Sequence, residues 1–497
     1  MHHKSIIIIG AGMGGLAAGI YGQLNGFATQ IFEMHGLPGG QCAAWKRKGY
    51  AFDGCIHHLM GCRPGSRLFH LWEELGAMPR ELCTTEDCVS VWADGREFRD
   101  YYDLERLRDH LLTLAPADRP VIEHYLRGIA LASRRDIGEA MIFDGMPGLL
   151  RAAPLLWQMR SYLKPTLKQY AERFTDPLLR AGFPLVEYSM PDAPLFLHVM
   201  KHANGTTGGI KWPAGGALAF ARSIEQRYLS LGGQVHYKQK VTRILTEDNR
   251  AVGIVLEDGT EVRADYVISN ADGRKTIMEM LGGRFTNDTI RAWCAEPDDL
   301  TNWAVHVFLG VNRDLSRDPS ALVTLLPKPV EIAGQTCHHL ELQTYGFDPE
   351  MAPAGKGAIK VELFSTYSYW KALAADRARY EEEKERIADT VIGLLEQRFP
   401  GLRSQVEAVD VPTLLTWERY MGGTHGFANM PKRPFNVFKS LSAGGMETTL
   451  PGLERFHFTG AWATSAGTLF MNALSGRVVL QAICKAEGKR FTAPHRL

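Results

Sequence analysis

Residues 4–33 read KSIIIIGAGMGGLAAGIYGQLNGFATQIFE. Four successive isoleucines describe a strand buried on both faces. Gly10, Gly12 and Gly15 follow at once in G-x-G-x-x-G order. An Ala-rich stretch with helical spacing then runs to Gly26, and a second strand closes on Glu33. Each part has a physical task. Gly10 turns the chain from strand to helix, Gly12 lets backbone approach a pyrophosphate, and Gly15 lets helix and strand pack closely. The unpaired N–H groups of the helix start, contributed by residues such as Met13 and Gly14, attract an anion. Glu33, followed by Met34, ends the second strand where a carboxylate can take both ribose hydroxyls. The strand–turn–helix–strand context turns a common glycine pattern into a dinucleotide site. An acid in place of a base points to FAD or NAD rather than NADP.

The rest of the composition narrows the class. A chain of 497 residues exceeds one ordinary core, so two or three interleaved domains are expected. A net charge of +1 gives no global field for nucleic acid. Eight cysteines have no CxxC and no zinc-finger spacing, so a reduced, cytoplasmic setting is expected and no metal site. The first strand begins at about Lys4, which leaves no room for a secretory leader. No run of about 18 uncharged apolar residues suggests a membrane span.

Three blocks carry a resemblance. Residues 36–54 read GLPGGQCAAWKRKGYAFDG, with Gly39–Gly40–Gln41 and then Phe52–Asp53. Residues 212–272 contain a Gly-Gly turn, a helix, a strand reaching Val241, a hairpin at Asp248–Asn249, and a strand ending at Asn270. Residues 453–483 read LERFHFTGAWATSAGTLFMNALSGRVVLQAI. Together they resemble the FAD-dependent amine oxidase and phytoene desaturase superfamily. The resemblance implies an α/β fold, with a Rossmann-like FAD-binding domain interleaved with a mixed α+β substrate-binding domain. It assigns residues 1–73, 205–273 and 447–497 to the first, and 74–204 and 274–446 to the second. It implies that Gly39, Gly40 and Gln41 follow the diphosphate and that Val241 meets the adenine. It also places Asn270, Gly460 and Ala461 at the diphosphate turn, and Thr468, Leu469 and Met471 at a helix start facing the flavin. A helix start there would stabilise negative charge on the reduced ring.

Within the superfamily the chain is similar to the carotenoid desaturases, carotenoid isomerases and retinol saturases. Gln41 stands where many desaturases carry Arg, which favours isomerase or saturase chemistry. The resemblance implies desaturation, saturation or cis–trans isomerisation of a C–C bond in an apolar polyene or isoprenoid lipid. An amine or porphyrinogen oxidase on the same fold is the alternative, and a non-enzymatic flavoprotein or lipid carrier a third reading. No second G-x-G-x-x-G follows a strand, so the electron partner is expected to be external: oxygen, a quinone or a reductase.

FDGCIHHLMG, residues 52–61, brings His57 and His58 toward the expected flavin. Imidazole titrates near neutrality and could relay a proton. Adjacent side chains diverge on a strand or helix, so the pair is not expected to chelate a metal. Tyr420 and His425, in ERYMGGTHGF, are further proton-donor candidates, and His338–His339 reads as structural. Residues 146–173 interleave leucines and Trp157 with Arg151, Arg160, Lys164 and Lys168. That is the pattern of a helix on a membrane surface, or of one packed on its own domain.

Overall fold

The computed structural model describes residues 4–78, 80–187, 190–295, 302–425, 443–464, 467–495 and 497. The isoleucine run forms the middle strand, Ser5–Ile9, of a five-stranded parallel sheet. The strand order is Gln234–Tyr237, Ala28–Glu33, Ser5–Ile9, Tyr266–Ser269, Phe456–Phe458. Ile9 lies between Phe32 and Ser269 in the register. Ile6 and Ile8 join one core cluster, and Ile7 and Ile9 another. Alternate side chains thus enter two different cores, which is why no polar residue interrupts the run.

One face is covered by three helices. Met13–Leu24 packs against Leu469–Ala486, and Gly216–Ser230 closes the side. Gly476 makes the first contact possible: a Cβ there would sit 2.5 Å from Ala18 N and 2.7 Å from Gly14 O. Tyr228 fastens the third helix, its hydroxyl donating to Thr29 O at 2.9 Å. The other face carries an antiparallel sheet of Val241–Glu247, Arg250–Leu256 and Glu261–Arg263. The strand expected to reach Val241 stops at Tyr237. Lys238 takes a φ of +56° and turns the chain, so Val241 opens the next strand.

A second, seven-stranded sheet has the order Val406–Asp410, Asn302–Val311, Gly357–Ser365, Gln335–Thr344, Ala321–Ile332, Asp87–Ala93, Arg96–Tyr101. Helix Arg377–Leu395 covers one face through Ile387, Val391, Ile392 and Leu395, with Leu394 half-buried. In the first insertion the chain is mostly helical from Leu104 to Thr206, but the hairpin Asp87–Tyr101 comes first and pairs with Ala321–Ile332. The two long insertions therefore share one sheet.

A buried carboxylate ties the sheets together. Asp53, at the end of strand Tyr50–Asp53, is fully buried. It accepts hydrogen bonds from Ala217 N at 2.5 Å, Cys55 N at 3.0 Å and Ile56 N at 3.1 Å. It thereby holds the start of helix Gly216–Ser230 against the segment that leads to His57.

Gly476→Val is expected to force the two main helices apart at backbone contact distance. Overpacking of this kind costs about 1–3 kcal/mol. The midpoint of urea unfolding, followed by circular dichroism, should fall accordingly, whereas Gly36→Ala, where the backbone φ is not positive and a Cβ has room, should move it far less.

Candidate functional site

The glycine segments converge on one side chain. Asn270 follows strand Tyr266–Ser269, and its N–H donates to Ile9 O at 2.8 Å. A Cβ on Gly12 would lie 2.5 Å from Asn270 Nδ2, and one on Gly14 would lie 2.6 Å from both Asn270 Oδ1 and Gly460 N. One on Gly460 would overlap Asn270 Oδ1, and one on Gly15 would overlap Gly10 O. Gly39 N donates to Ala11 O at 2.9 Å, and Gly40 approaches Gly12 backbone to backbone. Gly10, Gly12, Gly14, Gly15, Gly39, Gly40, Asn270 and Gly460 therefore form one cradle, with Ala461 at its edge. Helix Met13–Leu24 starts here without a side-chain cap, leaving its first N–H groups for an anion.

Glu33 lies beside this cradle, nearly buried. Its carboxylate accepts Ala11 N at 2.8 Å and His35 N at 2.7 Å. Burial pushes the carboxyl up, and the two N–H bonds pull it partly back. Gln239 N donates to Glu33 O at 2.9 Å, which brings the start of strand Val241–Glu247 near. Met34 is partly exposed and touches Gly422. Gln41 is half-buried after Gly40. Met13 and Met471 differ from the rest: both side chains are buried in the core, so only their backbone can face a ligand.

The second helix start gives an independent test of fit. Helix Leu469–Ala486 has no side-chain cap, and the Oγ1 of its N-cap residue Thr468 is buried without a hydrogen-bond partner. Leu469 beside it is half-buried. A buried orphan hydroxyl at an uncapped helix start asks for an acceptor or donor from outside the chain. Two uncapped helix starts, a glycine-lined cradle and a buried acid suit a flavin dinucleotide.

The histidines part as adjacent residues must. His57 Nε2 meets both oxygens of Glu362, at 3.0 and 2.9 Å. His58 instead lies in the field of Lys201, and burial followed by the Lys201 and His57 charges pushes its pKa down to about 3. Glu362 sits on strand Gly357–Ser365 and is also paired with Lys360 at 2.9 Å and His306 at 3.7 Å. Burial alone would raise this carboxyl, but the His57 and Lys360 charges hold it well below the usual range. Its cross-strand neighbours are His306 on one side and Glu341 on the other. Glu341 Oε1 is buried and accepts no hydrogen bond; His339 Nε2 lies 3.7 Å away. Burial pushes the Glu341 carboxyl up, and the Glu362 charge adds to it. His57, Lys201, Glu341, Gln343 and Glu362 line a narrow, otherwise apolar cavity with Leu322, Val323 and Leu342.

The remaining candidates lie elsewhere. Tyr420 is exposed and packs edge-on against His35, two residues past Glu33, rather than with His57. His425, at φ +59°, lies against Tyr367 and Arg274, near Asp272. Sequence reasoning missed Glu341, Glu362, Lys201 and Glu187. The available signal was a charge at an inward position of an apolar strand run, as in GAIKVELFS. Gly54 after Asp53 has a local reason: a Cβ there would lie 2.5 Å from the Trp417 ring.

Behind His58 a buried ionic network fills the helical layer. His198 pairs with Glu187 at 2.7 Å and Asp100 at 3.3 Å, and takes Tyr125 Oη at 2.7 Å. Lys201 completes it on Glu187 at 3.0 Å.

A family model described as flavin containing amine oxidoreductase matches residues 13–276. The chain is 25% identical over 474 residues to a chloroplastic prolycopene isomerase of an Oncidium hybrid, covering 87% of this chain and 77% of that protein. It is 27% identical over 459 residues to a lycopene-forming phytoene desaturase of a Paracoccus species, covering 86% and 87%. Among solved structures, an oxidoreductase of Methanosarcina mazei superposes with a TM-score of 0.62 at 18% identity, covering 96% of this chain and all of that one.

The His198 network makes stability depend on pH. Burial disfavours the charged ring, but Asp100 and Glu187 outweigh it and raise the His198 pKa to about 9. A raised folded pKa stabilises fully below pH ~6.5 and the gain is lost as pH rises through about 9. Unfolding free energies from urea titrations at pH 6 to 9.5 should decline by up to about 3 kcal/mol. His198→Gln should be less stable at pH 6 and should flatten that decline.

Proposed function

The chain belongs to the flavin-containing amine oxidoreductase family, and on that premise we propose that it is an FAD-dependent oxidoreductase acting on C–C bonds of an apolar polyene or isoprenoid lipid. Saturation or isomerisation is favoured over desaturation by Gln41. The observation that carries this reading is the similarity to a prolycopene isomerase and a phytoene desaturase along 86–87% of the chain, well beyond the N-terminal dinucleotide motif.

Each candidate residue then has a role. The start of helix Met13–Leu24 and the backbone of Gly12, Gly14, Gly39, Gly40 and Gly460 hold the diphosphate. Glu33 accepts the ribose hydroxyls, and Val241 borders the adenine through its backbone. Thr468 and the start of helix Leu469–Ala486 face the flavin end. When bound, the flavin supplies two-electron hydride chemistry at carbon. His57, held at Nε2 by ionised Glu362, moves the accompanying proton. The apolar wall of Leu322, Val323 and Leu342 excludes water from that end. Electrons enter or leave through an external partner: oxygen, a quinone or a reductase.

One observation favours an amine substrate as the second reading. Glu341 and Glu362, side by side in the cavity, could hold an ammonium group.

A surface contact with a membrane is also part of the reading. Helix Ile137–Gln158 breaks at Gly145, and Met146, Leu150 and Trp157 beyond the break are 65–71% exposed, among exposed Arg151, Arg160 and Lys164. Among the described residues no helix is long and apolar enough to cross a membrane. Flotation with anionic vesicles should recover the wild type, and Trp157→Glu with Leu150→Glu should stay in the soluble fraction.

The direct test is anaerobic. Flavin-loaded protein, oxidised or reduced, is incubated with phytoene, prolycopene and retinol, and the products are resolved by chromatography and mass. A gain of two hydrogens marks a saturase, a loss marks a desaturase, and changed retention at constant mass marks an isomerase. Peroxide release from an amine, with no change in any polyene, would overturn the polyene reading. Glu362→Gln should retain flavin and lower kcat by about 10²-fold, the usual scale of proton-transfer assistance.

A further inference from the structure

Cys42 and Cys55 face each other beside the cradle. The hairpin pairs Arg47 with Tyr50 and, at its open end, Ala44 with Asp53. Gly54 N continues the ladder to Ala43 O at 3.0 Å. One position further, the register sets Cys42 opposite Cys55, and their sulfurs are 3.7 Å apart. Opposed residues of antiparallel strands have Cα atoms about 4.5–5.5 Å apart, within the range a disulfide spans. Both backbones are anchored: Cys42 N donates to Gly39 O at 3.0 Å, and Cys55 N to Asp53 Oδ1 at 3.0 Å. The two sulfurs thus already lie in contact, held by anchored backbone on both sides.

The surroundings of the two sulfurs differ. Cys42 is buried at 2% exposure, and Cys55 is half-buried. The Cys42 thiol donates to Cys55 Sγ. That bond, and then burial, keep the Cys42 thiol well above the usual thiol range. Cys55 is thus the sulfur a small oxidant can reach, and Cys42 the one waiting against it. The position is notable because Cys42 directly follows Gly39–Gly40–Gln41, and Cys55 lies two residues before His57.

We propose that Cys42 and Cys55 are a redox-active dithiol that closes into an intramolecular disulfide, locking the Gly39–Gly40 loop to the segment that carries His57. The oxidant is a peroxide. Cys55 sulfur attacks one peroxide oxygen; the S–O bond forms, the O–O bond breaks, and the thiol proton leaves with the departing oxygen as water. Cys42 sulfur then attacks Cys55 sulfur; the S–S bond forms, the S–O bond breaks, and a second water carries away the Cys42 proton. The dithiol loses two electrons and two protons, and hydrogen peroxide becomes two waters. A thiol reductant reverses the change by exchange. The inference is independent of which substrate the enzyme transforms.

The test reads covalent chemistry on the full-length, flavin-loaded protein. The protein is reduced, freed of reductant, exposed to hydrogen peroxide, denatured in N-ethylmaleimide and mapped by mass spectrometry. Of the eight cysteines, six are expected to alkylate after peroxide and all eight after re-reduction, with one linked peptide pair joining Cys42 to Cys55. Cys42→Ser should abolish the link and leave a sulfenic acid on Cys55 that dimedone traps. Cys55→Ser should leave Cys42 alkylatable. The proposal is overturned if all eight cysteines alkylate after peroxide, if Cys55 over-oxidises in the wild type without a link, or if the link joins other cysteines.

Discussion

The fold hangs on the space around the Asn270 side chain. Gly12, Gly14, Gly15 and Gly460 all press against it, and a Cβ on Gly12, Gly14 or Gly460 would collide with it. These residues come from both ends of the chain. Their convergence fixes how strand Tyr266–Ser269 meets the first strand and how the last helix lies on the first. Gly476 repeats the device one helix further along. The same missing side chains that let the segments close also leave backbone N–H groups uncovered. Close packing and uncovered backbone donors are consequently one requirement, not two.

A second constraint is electrostatic. Asp53, Glu362 and Lys360 are removed from water, which costs several kcal/mol per ion unless each is fully partnered. Asp53 meets that cost with three backbone N–H bonds. Glu362 meets it with His57, Lys360 and His306. Glu341 does not: it faces Glu362 directly across the ladder, an arrangement that disfavours two negative charges. The two carboxyls are pushed apart: the His57 and Lys360 charges hold Glu362 low, and burial with the Glu362 charge raises Glu341. A core built for stability alone would have apolar residues at both positions.

Much of this was legible in the chain. The parallel sheet followed from the isoleucine run and the glycine order, because strand burial and turn geometry leave local marks. The divergence of His57 and His58 followed from backbone geometry. Glu33 was legible because its task depends on one short strand. The hairpin Asp87–Tyr101 was not, since its partner strand lies more than two hundred residues away. The pairing of Glu341 with Glu362 was illegible for the same reason: only the register of two strands makes them neighbours. Tyr420 and His425 stood close to each other in sequence, but the turn at Gly422 sends them to different surroundings.

The two ends of the site carry opposite character. At the cradle, two uncapped helix starts present partial positive charge, and the one acid there, Glu33, is engaged by backbone N–H groups. At the His57 end, the Glu362 charge is met by His57, Lys360 and His306, and Lys201 by Glu187. The cradle leaves backbone donors uncovered, whereas the charges of the His57 end are met within the chain. The segment joining the ends is short, running from Gly39 through the hairpin to His57. Both cysteines lie on that segment, one at each side of the hairpin mouth. A bond between them would act where the glycine cradle and the His57 segment are joined.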